Sequence, residues 1–198
     1  MTPVDGVVLA AGRSTRMDKS KALLEIGAET FLERAIHVLR EGGCRHVVAV
    51  LNDLDDWPHR LADAVGAAVV VNPDADSQQL DSLRLGLAVL PADWGALAVL
   101  PVDVPLVSAA TVRALVDSHA QRPAAITLPF HNGVAGHPVL IGRQLEPELR
   151  AGRFEEGLRS LIMARSGDLC EVKVVDPGTL IDIDTPEDYW RYVKDRIR

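Results

Sequence analysis

Short apolar runs alternate along this chain with stretches whose apolar residues recur every three to four positions, and that alternation limits the folds open to it. The runs occupy residues 4–9, 46–51, 67–71, 96–101, 124–128, 138–141 and 170–175. Several are apolar at every position, as parallel strands covered on both faces are. The stretches between them carry helix start and stop signals. Thr30 and Glu33 are spaced as a capping box, Leu32, Ala35, Ile36 and Leu39 share one face, and Gly42 with Gly43 ends the segment. Ser108 is placed to cap a second helix carrying Val112, Leu115 and Val116, and a third is predicted from near Asp81 through Leu83, Leu87 and Leu90 to Pro91. Strand, helix and strand in repetition predict βαβ units and a three-layer α/β domain with a mainly parallel sheet. Residues 129–147, richer in Gly, Pro and His, break the rhythm and are predicted to form an inserted hairpin or loop capping a cleft. At 198 residues, without a linker or internal repeat, residues 1–198 read as a single domain.

Open sheets of this class bind ligands beyond the carboxyl ends of their strands. That rule points to the segments after Leu9, Val71 and Pro101, and to the closing helix near Asp184. A net charge of −7 argues against nucleic acid as a partner spread over the surface. Cys44 and Cys170 have neither metal-ligand spacing nor the numbers for a disulfide framework, and beside apolar β-rich runs both are predicted to be buried reduced thiols. No run approaches the roughly 18 apolar residues of a membrane span, and the first residues lack the basic start and apolar run of a signal peptide. The expectation is a cytoplasmic protein with no membrane partner.

Residues 10–21 read Ala-Ala-Gly-Arg-Ser-Thr-Arg-Met-Asp-Lys-Ser-Lys. Arg13, Arg16, Lys19 and Lys21 stand there against Asp18 alone, in a chain that is acidic as a whole. A basic, glycine-containing loop at the end of the first strand fits a bound anion: glycine admits backbone N–H groups to phosphate oxygens, and Arg and Lys add charge-assisted hydrogen bonds. Three familiar loops do not fit. A Walker A loop would need Gly at Met17 and Lys at Asp18, a dinucleotide fingerprint needs two further glycines, and a nucleophile elbow needs Gly where Arg16 stands.

Leu9-Ala10-Ala11-Gly12-x-Ser14-x-Arg16-Met17 followed by Lys21 resembles the signature of nucleotidyltransferases of the molybdenum-cofactor type, with Asp18 where that signature has glycine. Those proteins transfer a nucleoside monophosphate from an NTP to a phosphorylated acceptor. Ser82-Leu83-Arg84-x-Gly86-Leu87 is similar to the family segment that opens a helix beside base and ribose, although Leu80 belongs to a stretch that lacks the usual preceding glycine. Asp103-Val104-Pro105 resembles the Asp-x-Pro motif after a central strand, with Val102 in place of the usual glycine; a carboxylate there is a natural Mg²⁺ ligand. Gly136-His137-Pro138 resembles an element of the cytidylyl-transferring branch near the acceptor. The run Asp182-Ile183-Asp184-Thr185-Pro186-Glu187-Asp188 resembles the closing motif. Thr185, Pro186 and Asp188 in that run also make a strong helix start.

The resemblance implies a three-layer α/β/α Rossmann-like nucleotidyltransferase domain with a mainly parallel sheet. It implies that Leu9, Ala10, Ala11, Gly12, Arg13, Ser14, Arg16, Lys21 and Ser82 bind the nucleotide, that Arg16, Lys21 and Asp103 are catalytic, and that His137 meets the acceptor. Mg²⁺ would be held by Asp103 and Asp184, with Asp182 as the alternative to Asp184. Guanylyl-transferring relatives carry Leu-Ala-Gly-Gly, so Ala11, together with Gly136-His137-Pro138, implies CTP as donor. The implied acceptor is molybdopterin bearing molybdenum, with a molybdenum hydroxylase as client for the product. Sugar- or polyol-phosphate acceptors, and a non-catalytic cofactor carrier, are the alternatives.

Overall fold

The computed structural model describes residues 2–12, 20–52, 60–62, 65–74, 76–151, 154 and 157–194. In chain order the strands are β1 (Val4–Ala10), β2 (Glu25–Ile26), β3 (Glu29–Thr30), β4 (Val47–Leu51), β5 (Ala68–Val71), β6 (Ala96–Pro101), β7 (Ile126–His131), β8 (Val134–Ala135), β9 (Val139–Gly142) and β10 (Leu169–Lys173). The helices are α1 (Phe31–Glu41), α2 (Gln79–Val89), α3 (Ala109–Gln121), α4 (Glu146–Ala151), α5 (Leu158–Ala164) and α6 (Pro186–Tyr189). Each of the seven apolar runs contributes a strand of the main sheet, within two or three residues at either end.

The main sheet runs β10-β7-β9-β6-β1-β4-β5, with β8 paired to β7. Pairing is parallel across β6-β1-β4-β5 and across β7-β10, whereas β9 lies antiparallel between β6 and β7. The uniformly apolar runs have a direct explanation in the layers. Val8 and Ala10 of β1 join the α1–α3 core with Phe31, Leu39 and Leu115, while Val7 and Leu9 join the α2 core with Leu83 and Leu87. Val47, Ala49 and Leu51 of β4 alternate in the same way with Val48 and Val50. A strand between two cores is apolar at nearly every position, the buried Asp5 of β1 being held by Arg45 and His46 N, and each fully buried Leu or Val contributes about 1.5–3 kcal/mol.

The local signals for α1 act as read: Thr30 Oγ1 accepts from Glu33 N at 3.2 Å and Glu33 Oε2 accepts from Thr30 N at 2.8 Å. Ser108 caps α3 by accepting from Thr111 N at 3.3 Å. The reading of residues 129–147 needs correction. Asn132 and Gly133, both at positive φ, turn β7 into β8 as an Asn-Gly hairpin. The hairpin is as expected, and Val134 and Ala135 on it line a cavity, but the stretch then returns as β9, an interior strand of the main sheet, so it is not an insertion.

Cys170 is a second correction: it lies on the edge strand β10 and is only half-buried, with its sulfur 3.5 Å from Ser118 Oγ. Cys44 is buried, and burial together with the Asp5 charge pushes its thiol up to about 12. At pH 8 the folded protein is therefore expected to react with a thiol-specific disulfide reagent at Cys170, with Cys44 on the order of 10³-fold slower than in unfolded chain. Equal rates for both thiols in the folded protein would contradict this packing. Among the described residues, no helix is long and apolar enough to cross a membrane.

Candidate active site

The sheet places one crevice by topology. From β1 the chain goes to β4 and β5 on one side, then crosses to β6 on the other, so a switch point lies between the carboxyl ends of β1 and β6. The two exits are stitched together: Val102 N donates to Leu9 O at 3.0 Å. Val102, where the family motif has glycine, is itself buried. Asp103 follows, and its carbonyl accepts from Ile183 N at 2.8 Å. Ile183 is fully buried, anchoring the extended segment on which Asp182 and Asp184 flank it. Thr185 and Asp188 then close a reciprocal capping box, with Asp188 Oδ2 accepting from Thr185 N at 3.0 Å and Thr185 Oγ1 accepting from Asp188 N at 3.1 Å. That box holds the start of α6 and fixes where Asp184 emerges.

Lys21, on the short turn Lys21–Leu23, ties these segments together. Its Nζ donates to Asp184 Oδ1 at 2.5 Å and to Asp103 Oδ2 at 3.1 Å. Partial burial pulls the ammonium down, but the hydrogen bonds and charges of Asp184 and Asp103 outweigh it and hold the group above its ordinary value. Lys21 is thus a full cation between two carboxylates. Asp182 does not join them at Lys21; partial desolvation and the negative fields of Asp103 and Asp184 push its carboxyl up.

A cavity of about 170 Å³ opens at this point, lined by Leu9–Gly12, Lys21, Ser77, Gln79, Ser82 and Pro101–Asp103 among others. Among the described residues, a Cβ on Gly12 would meet nothing within 4 Å. Within the Ser82–Leu87 motif the roles divide. Ser82 alone lines the cavity, whereas Leu83 and Leu87 are core. Arg84 braces α4 by donating from Nε to Leu149 O at 2.7 Å. Gly86 lets α2 approach β1, since a Cβ there would lie 2.9 Å from Val7. Leu80, from the stretch that lacks the resembled motif's glycine, is buried in the same core.

A second, larger cavity of about 590 Å³ shares Gln79 with the first. Leu128, Val139, Leu158, Ile162 and Leu180 give it apolar walls, and His137, Arg159, Thr179 and Asp182 its polar groups. Here His137 N donates to Thr179 O at 2.9 Å. A Cβ on Gly136 would come within 2.4 Å of that same Thr179 carbonyl, so only glycine permits this contact. The imidazole Nδ1 is buried without a hydrogen-bond partner among the described residues, and desolvation, opposed by Asp103, pulls the ring's pKa down and keeps it neutral near pH 7.

The structure therefore brings Leu9, Ala10, Ala11, Gly12, Lys21, Ser82 and Asp103 around one cavity, joins Asp184 to them through Lys21, and sets His137 in the neighbouring one. Arg13, Ser14 and Arg16 lie outside the described residues. Ser77, Gln79, Arg159 and Thr179 also line these cavities, without any motif to announce them. Among the described residues no three His, Cys, Asp or Glu side chains cluster as metal ligands. The donor set is two carboxylates converging on one cation, which suits Mg²⁺, an ion that keeps several waters and takes one or two carboxylates beside phosphate oxygens.

The family model for the MobA-like NTP transferase domain matches residues 6–169. The chain is 26% identical to the molybdenum cofactor cytidylyltransferase of Escherichia coli K12 over 96% of its own length and 95% of that protein's. It is 30% identical to the nicotine blue oxidoreductase of Paenarthrobacter nicotinovorans, over 95% of each. Bifunctional GlmU of Mycobacterium ulcerans is 32% identical over 62% of this chain, which spans only 26% of that protein's length. Among solved structures, Rv0371c of Mycobacterium tuberculosis H37Rv superposes with a TM-score of 0.84 at 28% identity, covering 98% of this chain and 99% of that one. The same protein has been solved in complex with manganese, with a TM-score of 0.80 to this chain. The mainly parallel sheet with helices on both faces is thus the Rossmann-like nucleotidyltransferase fold.

Proposed function

The chain belongs to the MobA-like NTP transferase family, and we propose that it transfers CMP from CTP to a phosphorylated acceptor, molybdenum-bound molybdopterin, with release of pyrophosphate. The observation that carries this reading is the convergence of Asp103 and Asp184 on Lys21 at the switch point. An acceptor phosphate oxygen attacks the α-phosphorus in line. The new P–O bond forms as the bond to the β-phosphate bridging oxygen breaks, and pyrophosphate leaves with that electron pair. Asp103 and Asp184 would hold Mg²⁺, which would neutralise charge on the α-phosphate. Lys21, already fully charged, turns from the carboxylates toward the phosphates and stabilises charge building on the leaving group. Leu9–Gly12 line the nucleotide cavity, and the β-carbon of Ala11 narrows it in favour of a pyrimidine. No covalent intermediate is needed, since the nucleophile is already anionic.

The second cavity supports the acceptor assignment. Its apolar walls suit the faces of a fused heterocycle better than the hydroxyls of a sugar or polyol, and the Nδ1 of His137, unpartnered among the described residues, can bond one polar group. A relative named as an oxidoreductase shares nearly the whole chain, so the reading rests on these residues and not on family membership. Pyrophosphate release measured with Mg²⁺ and each NTP, against molybdopterin and against sugar and polyol phosphates, tests it. CTP with molybdopterin is the expected pair. Release only with a sugar or polyol phosphate overturns the acceptor, and nucleotide binding without release from any pair indicates a carrier.

A further inference from the structure

Asn72 lies just beyond β5, is only 3% exposed, and does not line the nucleotide cavity. Its amide orientation follows from its partners. The N–H of Asp74, which can only donate, points at Oδ1 at 3.1 Å. The other amide atom is therefore the nitrogen, and Nδ2 lies 2.7 Å from Ser77 Oγ and 2.9 Å from Ser82 Oγ. An amide nitrogen has no acceptor lone pair, so both hydroxyls must accept from Asn72. Neither hydroxyl proton can be directed at Asn72, and neither has another acceptor among the described residues. Both serines line the nucleotide cavity.

We infer that Asn72 is a positioning residue for base selection: by taking one lone pair of each serine, it commits the two O–H groups to the cavity as a pair of donors for a base edge with two adjacent acceptors. Cytosine offers such an edge at O2 and N3. Uracil does not, because its N3 carries a proton, and a hydroxyl that received that proton would still hold an O–H without an acceptor. The inference rests on the nucleotide reading above, extending it from the cavity's shape to a buried residue that never touches the ligand.

Asn72→Asp is the discriminating variant. A carboxylate would accept from both serine hydroxyls, leaving only lone pairs facing the cavity, so the polarity of the site inverts. Dissociation constants for CTP, UTP, GTP and ATP, measured by calorimetry with Mg²⁺, are compared between wild type and variant, with thermal melting as the check on folding. The expected result is a CTP-over-UTP preference that falls by roughly 10-fold or more in Asn72→Asp, the loss that follows from unpaired hydrogen-bonding groups. Equal weakening toward all four nucleotides, or an unchanged ratio, overturns the inference, because damage to the fold or to phosphate binding would not distinguish bases. If Asn72→Asp does not fold, Ser77→Ala and Ser82→Ala replace it, each expected to lower the same ratio, and an unchanged ratio in both overturns the inference. A wild type that prefers GTP, whose O6 and N7 also form an adjacent acceptor pair, would overturn the CTP reading; loss of that preference in Asn72→Asp would still support the role of Asn72.

Discussion

Asp103→Ala is expected to lower kcat/KM for pyrophosphate release by about 10²–10³-fold, the loss typical of removing one charge-stabilising group from a transition state. The fold should survive the change. Asp103 is held through its backbone, by its own carbonyl to Ile183 N at 2.8 Å and by the neighbouring Val102 N to Leu9 O at 3.0 Å. None of that depends on the carboxylate. Lys21 retains Asp184 at 2.5 Å, so the ammonium is not left without a counter-charge. Asp103→Asn, which keeps the shape and removes the charge, is expected to lose as much activity as alanine and to need more Mg²⁺ for half-maximal rate. A packing role predicts the opposite, with asparagine close to wild type. Activity of Asp103→Ala within threefold of wild type would remove Asp103 from the reaction.

How much of this was legible in the sequence depends on whether the information is local. The capping boxes at Thr30 and Thr185 involve residues three apart, and both form as read. The uniformly apolar runs announce burial on both faces, and β1, β4 and β6 are buried at every position. Strand order is not local. The run at 138–141 announces a strand, but nothing between residues 129 and 147 says that β9 pairs with β6, some forty positions earlier, so its central place in the sheet goes unread. The difference in surroundings between Asp182 and Asp184 has the same origin: only the fold buries Ile183 between them and pairs Lys21 with Asp184. Asn72 and Asp176 carried no signal because the hydroxyls each binds, those of Ser77 and Ser82 and those of Ser108 and Thr111, meet them only in the fold.

Asp176→Ala is expected to destabilise the protein by about 3 kcal/mol at neutral pH, which for a chain of this size is a fall in Tm of roughly 6–12 °C. Its Oδ2 accepts from Thr111 Oγ1 at 2.6 Å, Ser108 Oγ at 2.8 Å and Ser108 N at 2.9 Å, while Oδ1 accepts from Gly178 N at 3.0 Å. Burial alone would push this carboxyl up, but the Thr111 hydroxyl and then the Ser108 and Gly178 donors outweigh it and hold it below the usual carboxylate range. A carboxyl depressed in the folded state stabilises above its unfolded value of about 3.9, and that contribution is lost as pH falls through the folded value. The difference between wild type and Asp176→Ala should therefore be constant from pH 7 to about pH 5 and shrink below about pH 4. A difference that stays constant to pH 3 would mean that side-chain packing, not the charge, holds the segment. The consequence reaches the second cavity, because Asp176 anchors the turn Pro177–Leu180, whose Thr179 carbonyl holds His137 N and whose Gly178 packs directly against Leu106 O. With that anchor gone, KM for the acceptor should rise while CTP affinity holds, since Lys21, Ser82 and Asp103 lie on other segments of the chain. A parallel loss of CTP affinity would show instead that the two cavities are held as one unit.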